Sequence, residues 1–258
     1  MGEQTWGTLC SGLPSVARRR ADDNERMTNP DTIAVIDFET TGMSPALGAR
    51  ATEIAAVLVR DGRIVGRFAS LMKTGSWVPP FIEQLTGISN RMLANAPAAA
   101  EVMREVAAFT RGCGVVAHNA SFDRAFWRHE HGLAAVVAAA QPCKPAADDF
   151  ACTLLLSRRL YPEAPNHKLG SLAAFHGIAP TGRAHRALAD AEVTAELWLR
   201  ITHDVTRRFS TTAPFGLLCA LQKSPRQALA RCTERYFAAI GAAAAQLPYG
   251  HEKGPVGP

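Results

Sequence analysis

The residues best suited to chemistry in this chain are four carboxylates and one histidine on three separated segments. Asp37 and Glu39 end an apolar run, T-I-A-V-I-D-F-E-T-T-G; Asp123 closes H-N-A-S-F-D; His185 and Asp190 bracket H-R-A-L-A-D. Two positions apart on an extended backbone, Asp37 and Glu39 point the same way and can face one site. An imidazole five positions before a carboxylate, at the opening of a stretch that reads as helix, aims both groups into one cleft. Hydrolysing a phosphodiester requires a water to become a nucleophile and a leaving oxygen to shed charge, and two divalent ions about 3.5 to 4 Å apart serve both ends of that displacement. Hard ions such as Mg²⁺ choose carboxylate oxygens, and a histidine titrating near neutrality can take the proton of the attacking water. Taken singly, Asp123 reads equally well as a helix cap, and His118 or His185 as a structural histidine. Their joint occurrence after a buried strand points to a metal-dependent hydrolase.

The elements that must position these residues follow from periodicity. Thr32 to Asp37 is an apolar, β-branched strand broken by Thr40-Thr41-Gly42; Ala51 to Arg60 and Arg63 to Ser70 form two more, joined by the Asp61-Gly62 turn. Pro79-Pro80 opens a short helix ending near Gly87, and Ala98 to Thr110 repeats at helical spacing. Gly114 to His118 reads as a strand and Ser121 to His131 as a helix with Asp123 in its first turn, while Ala134 to Ala147 is a helix tip and loop. Thr153 to Leu160 and Leu169 to His176 are short helices, and a long helix runs from about Arg186 to Thr202. Strands first, then strands alternating with helices, define an α/β domain: a mixed sheet covered by helices.

Composition bounds the rest. The 258 residues, 47 % hydrophobic and 20 % charged, suit one main domain with tails. No apolar run approaches the roughly 18 to 20 residues that span a bilayer. Six dispersed cysteines without a C-x-x-C pair favour reduced thiols and a cytoplasmic location. His129 and His131, flanking Glu130, read as exposed histidines near a helix end rather than as metal ligands. We divide the chain into a flexible leader (1–30, with Met27 a second candidate start), a domain (31–205) and a basic, Ala-rich extension (206–258). Lys plus Arg against Asp plus Glu counts 17 to 16 over residues 32–205 and 7 to 2 over 206–258. If two divalent cations cancel the four proposed ligands, the domain becomes about +5 and attracts a phosphate backbone. In the extension, Ser224-Pro225-Arg226-Gln227 has the form of a capping box opening a helix with Leu229, Cys232, Tyr236, Phe237 and Ile240 on one side, packed on the domain or docking a partner. Residues 248–258 read as disordered.

The three motifs, Asp37 to Gly42, His118 to Asp123 and His185 to Asp190, resemble those of the DEDDh 3'-to-5' exonucleases, a family that includes the proofreading subunit of bacterial replicative DNA polymerase. The likeness covers residues 32–202, including L-T-G-I-S at 85–89 and L-G-S-L-A-A-F-H-G-I at 169–178. Arg186 stands where the sister class carries its tyrosine, so His185 marks the histidine subclass. The resemblance implies a ribonuclease H-like fold, two Mg²⁺ or Mn²⁺ ions, and release of nucleoside 5'-monophosphates from single-stranded or frayed 3' ends. It implies that Asp37, Glu39 and Asp190 hold the catalytic ion, that Asp37 bridges to a second ion supported by Asp123 through water, and that His185 is the base. Phe38 and Thr40 would line the terminal-nucleotide site, Leu85, Thr86 and Gly87 would abut the terminal base, and Asn119 would contact the strand. DNA proofreading or repair is the first expectation. RNA 3'-end trimming, or a polymerase-binding subunit docked through 206–258, are the alternatives.

Overall fold

A computed structural model describes residues 32–137 and 150–245. The leader, the segment 138–149 and the last residues of the extension lie outside the described residues, as do the expectations placed on them.

The centre is β1 (Thr32–Thr40), whose residues are almost all buried. It pairs antiparallel with β2 (Ala51–Arg60), which pairs antiparallel with β3 (Arg63–Leu71). Asp61 and Gly62 turn that hairpin with both φ positive, at 52° and 72°, the geometry that matches strand twist in a two-residue loop. On its other side β1 runs parallel to β4 (Gly114–Ala117), and β4 to β5 (Phe150–Cys152), giving the order β3-β2-β1-β4-β5.

Between the strands lie the helices α1 (Pro80–Thr86), α2 (Asn90–Ala94), α3 (Ala99–Phe109), α4 (Ser121–Val137), α5 (Thr153–Leu160), α6 (Leu169–His176), α7 (Ala187–Phe209), α8 (Phe215–Leu221) and α9 (Leu229–Ala245). Period-two alternation gives the sheet two buried faces. Ile33 and Val35 of β1, with Ala55, Val57 and Val59 of β2, join a cluster with Leu197, Trp198, Ile201 and Val205 of α7. Ile36, Phe38, Ile54 and Ala56 face the opposite way, against Val102, Met103 and Val106 of α3 and Phe126 and Trp127 of α4. The alternation that buries Ile33 and Val35 under α7 therefore carries Asp37 and Glu39 to the α7 side. Val193, Leu197, Ile201 and Val205 recur every four residues on α7, and burying each such side chain contributes about 1.5–3 kcal/mol. That stripe fixes the helix against the sheet and so fixes its first turn, which carries Asp190.

The mixed sheet between helices agrees with the sequence reading, with corrections in detail. β5, α2 and α8 were not expected. α4 extends to Val137 and α7 to Phe209, so residue 205 falls inside α7. Phe215, Leu217, Leu218 and Leu221 of α8 and Leu229 and Cys232 of α9 belong to the β1–α7 cluster, with Tyr236 and Phe237 packed against it. Ser224 is not a helix cap: its hydroxyl donates to the Ala220 carbonyl (3.2 Å), and a 3₁₀ turn over Arg226–Ala228 intervenes before α9. His129 and His131 are half-buried rather than exposed, because α4 does not end beside them. The His131 ring packs edge-on against Trp127 at 4.3 Å, and burial pushes its pKa down to about 4. Glu130 between them receives the Arg50 guanidinium on both oxygens (2.8 Å each) and the Ala51 amide on one (3.1 Å), tying α4 to the loop after β1.

The outer edge of β5 is met by one side chain. The Cys152 amide donates to Gln222 Oε1 (2.6 Å), and Gln222 Nε2 donates to the Phe150 carbonyl (2.9 Å). Cys113, Cys152, Cys219 and Cys232 are buried and outside any disulfide. No helix among the described residues is long and apolar enough to cross a membrane.

Candidate active site

Three elements converge at the C-terminal end of β1. The strand contributes Asp37 and Glu39, the first turn of α4 contributes Asp123, the loop entering α7 contributes His185, and the first turn of α7 contributes Asp190. Ligand-competent atoms of Glu39, His185 and Asp190 lie within 4.8 Å of one another, and Asp37 lines the same cleft. His185 is held with φ at 61°, unusual for a residue with a β-carbon, and its backbone N–H donates to Asp190 Oδ2 (3.0 Å). That bond closes the turn, so imidazole and carboxylate arrive together.

Asp123 approaches from the other side of the sheet. It is buried, and its Oδ1 accepts the Phe38 amide (3.2 Å), joining the second motif to the backbone between the first two acids. His118, in the same motif, is structural: Nδ1 lies 2.9 Å from the Thr153 hydroxyl and Nε2 3.1 Å from the His167 carbonyl, and burial pushes its pKa down to about 4. Asn119 then turns the chain with φ at 62°, exposed, outside the cleft lining.

The cleft encloses about 240 Å³ between Asp37, Glu39, Thr40, His185 and Asp190 on one side and Ile82, Leu85, Thr86 and Phe122 on the other. Thr40, Leu85 and Thr86 thus border it. Phe38 also borders it, but its ring is buried on the far face of β1, 6.4 Å from Phe126 and 6.5 Å from Trp127. Gly87 is outside the lining because the Arg183 guanidinium covers it; Arg183 Nη2 donates to the Gln84 and Leu85 carbonyls at the end of α1 (3.1 and 3.4 Å). Sequence reasoning missed Arg183, the lining residues Met43 and Ile82, and Glu53 on β2. The signal for Glu53 was an acid inside an otherwise apolar buried run.

Burial and crowding raise the pKa values of these carboxylates. Burial first, then repulsion from Asp190 and Glu53, raises the Glu39 pKa to about 8, partly offset by Arg186. Asp37 is raised well above the ordinary carboxylate range by burial and then by Asp123, Glu39, Asp190 and Glu53. Burial raises Asp123 to about 7 against the opposing Phe38 amide bond, and raises Asp190 against the His185 amide bond. Such a site holds more carboxylates than Arg186 can balance and offers oxygen and imidazole ligands, which fits a divalent cation.

A sheet of this order with acids gathered at the end of its central strand defines a nuclease-type fold and site. The exonuclease family model matches residues 34–198, and the chain belongs to that family, whose members depend on divalent metal. It is 38 % identical over 173 residues to the 3'-5' exonuclease DinG of Bacillus subtilis, covering 67 % of this chain and 18 % of that protein. It is 36 % identical over 184 residues to the DNA polymerase III subunit epsilon-like protein of Rhodobacter capsulatus, covering 70 % and 25 %. The chain therefore spans a quarter or less of the length of these curated relatives. Among solved structures, exonuclease X in complex with 5' overhanging duplex DNA superposes with a TM-score of 0.52 at 28 % identity, covering 66 % of this chain and 91 % of that one.

Proposed function

We propose that this protein is a 3'-to-5' exonuclease that hydrolyses the terminal phosphodiester of DNA and releases nucleoside 5'-monophosphates. The observation that carries the reading is the convergence of Glu39, His185 and Asp190 within 4.8 Å, beside Asp37, in a cleft open to solvent. Asp37, Glu39 and Asp190 would hold one Mg²⁺ or Mn²⁺ ion, with Asp37 shared with a second and buried Asp123 supporting that one through water. Bound there, the ions supply charge for the attacking and leaving oxygens. His185, exposed and fixed by its turn, takes the proton of the attacking water. The water oxygen forms the new bond to phosphorus as the 3' oxygen of the penultimate nucleotide leaves with its electron pair. Leu85 and Thr86 border the space for the terminal nucleotide.

DNA is favoured over RNA by the company of DNA polymerase III and exonuclease X relatives. The dispersed thiols suit work in the cytoplasm. A role confined to docking a polymerase through residues 206–258 has less support, since Leu229 and Cys232 of α9 are already used in the core. The test is an assay on matched 3'-end-labelled DNA and RNA oligonucleotides with Mg²⁺ and with chelator. We expect mononucleotide release from DNA, lost on chelation and lost in His185→Ala and Asp37→Ala with the fold intact. Undiminished activity in both variants would refute the reading.

A further inference from the structure

Glu53 is a fifth carboxylate at the edge of the acidic cluster, and the proposed chemistry does not use it. It sits on β2 directly across the ladder from Glu39, on the same face of the sheet, and is 4 % exposed. Both its oxygens are taken. Oε1 accepts Arg186 Nη2 (2.7 Å), while Oε2 accepts Arg186 Nε (3.1 Å) and the Ala187 amide (3.0 Å). α7 has no side-chain cap of its own, because its N-cap position is Arg186. Glu53 therefore caps the helix from another strand, where an anion complements the helix dipole. The two-pronged guanidinium contact also fixes Arg186 in direction, not only in distance.

His185 immediately precedes Arg186, and its amide is held by Asp190. The turn from His185 to Asp190 is thus anchored internally by Asp190 and externally by Glu53, whose own strand neighbour is Glu39. We propose that the Glu53–Arg186 pair is a positioning device that sets His185 and Asp190 in register with Glu39. This rests on the functional reading above. Glu53 acts through its partners: Arg186 and the Ala187 amide take three of the roughly four lone-pair sites of its carboxylate and turn both oxygens towards the start of α7.

The experiment compares Glu53→Gln, Arg186→Lys, Arg186→Gln and the Glu53→Gln/Arg186→Gln double variant of the full chain. The readouts are kcat and KM on a single-stranded DNA oligonucleotide at saturating Mn²⁺, Mn²⁺ affinity by calorimetry, and Tm. Displacing a catalytic group by about 1 Å costs on the order of 100-fold in rate, so kcat in Glu53→Gln and Arg186→Gln should fall about that far with KM within about threefold. Mn²⁺ affinity should fall as well, and the double variant should lose no more than either single one. Arg186→Lys, which keeps the charge but loses the fork, should lie between wild type and Arg186→Gln. Unchanged kcat in folded Glu53→Gln overturns the inference, as do single losses that multiply in the double variant. Loss of activity that tracks Tm and recovers on cooling, or unfolding of all the variants, also overturns it, because the pair would then only hold the fold. A wild-type enzyme inactive on DNA would instead sink the functional reading.

Discussion

Stripped of divalent ions, this protein should lose stability as the pH rises from 6.5 to 8, and Glu39 sets the scale. Its pKa is raised from 4.5 to about 8, mainly by burial and then by Asp190 and Glu53. A group whose folded pKa exceeds its unfolded value contributes stability that is complete below the unfolded pKa and drains away as the pH climbs through the folded one. At 1.36 kcal/mol per unit, Glu39 alone surrenders about 2 kcal/mol across that window. For a domain of this size the loss corresponds to a Tm lower by about 4–8 °C. Asp123, raised to about 7, works in the same direction, although neighbouring acids titrate together and their contributions do not simply add. His118 and His131, lowered to about 4, act oppositely, but their effect is spent by about pH 6.5. Calorimetric scans at four pH values, with chelator and with saturating Mg²⁺, provide the assay. A bound cation replaces the proton as counter-charge, so the Tm gap between the two forms should widen with pH, and Glu39→Gln should reduce the metal-free slope, the remainder coming from Asp37, Asp123 and Asp190, which are raised in the same direction. A metal-free Tm that holds steady or rises, or an undiminished slope in Glu39→Gln, would refute the reasoning.

Two further substitutions probe the scaffold. Gly87→Ala places a β-carbon at φ +75° and 2.6 Å from Arg183 Nη1, so urea unfolding should register a loss of about 1–2 kcal/mol, and KM for oligonucleotides should rise as Arg183 leaves the end of α1. Glu130→Ala strips the acceptor from Arg50 and from the Ala51 amide at a carboxylate that is 1 % exposed; urea unfolding should show about 3 kcal/mol lost, and a change below about 1 kcal/mol would mean the pair is redundant.

Much of the site was legible because strand alternation is rigid. Two residues apart on a strand, Asp37 and Glu39 had to share a face, and Ile33 and Val35 identified that face as the one covered by α7. The same alternation turns the Phe38 ring away, which the family resemblance alone obscured. The start of α7 was readable from its apolar stripe, but its end was not: the helix was expected to close at about Thr202, yet no proline intervenes before Pro214 and the stripe continues through Val205. β5 is three residues long, too short for any period, and exists because β4 offers it a ladder. Arg186 was noted as a class marker and Glu53 was passed over, because their meeting across 133 positions is a property of the packed sheet and helix.

The amide of Gln222 does at the rim of the sheet what a sixth strand would do, presenting one acceptor and one donor to the backbone of β5. A terminal strand left bare is a template for another chain. The family match stops at residue 198, but a protein trimmed there would leave this rim open to lateral stacking with its own copies. The turn after α8 therefore closes this rim with a side chain in place of a further strand.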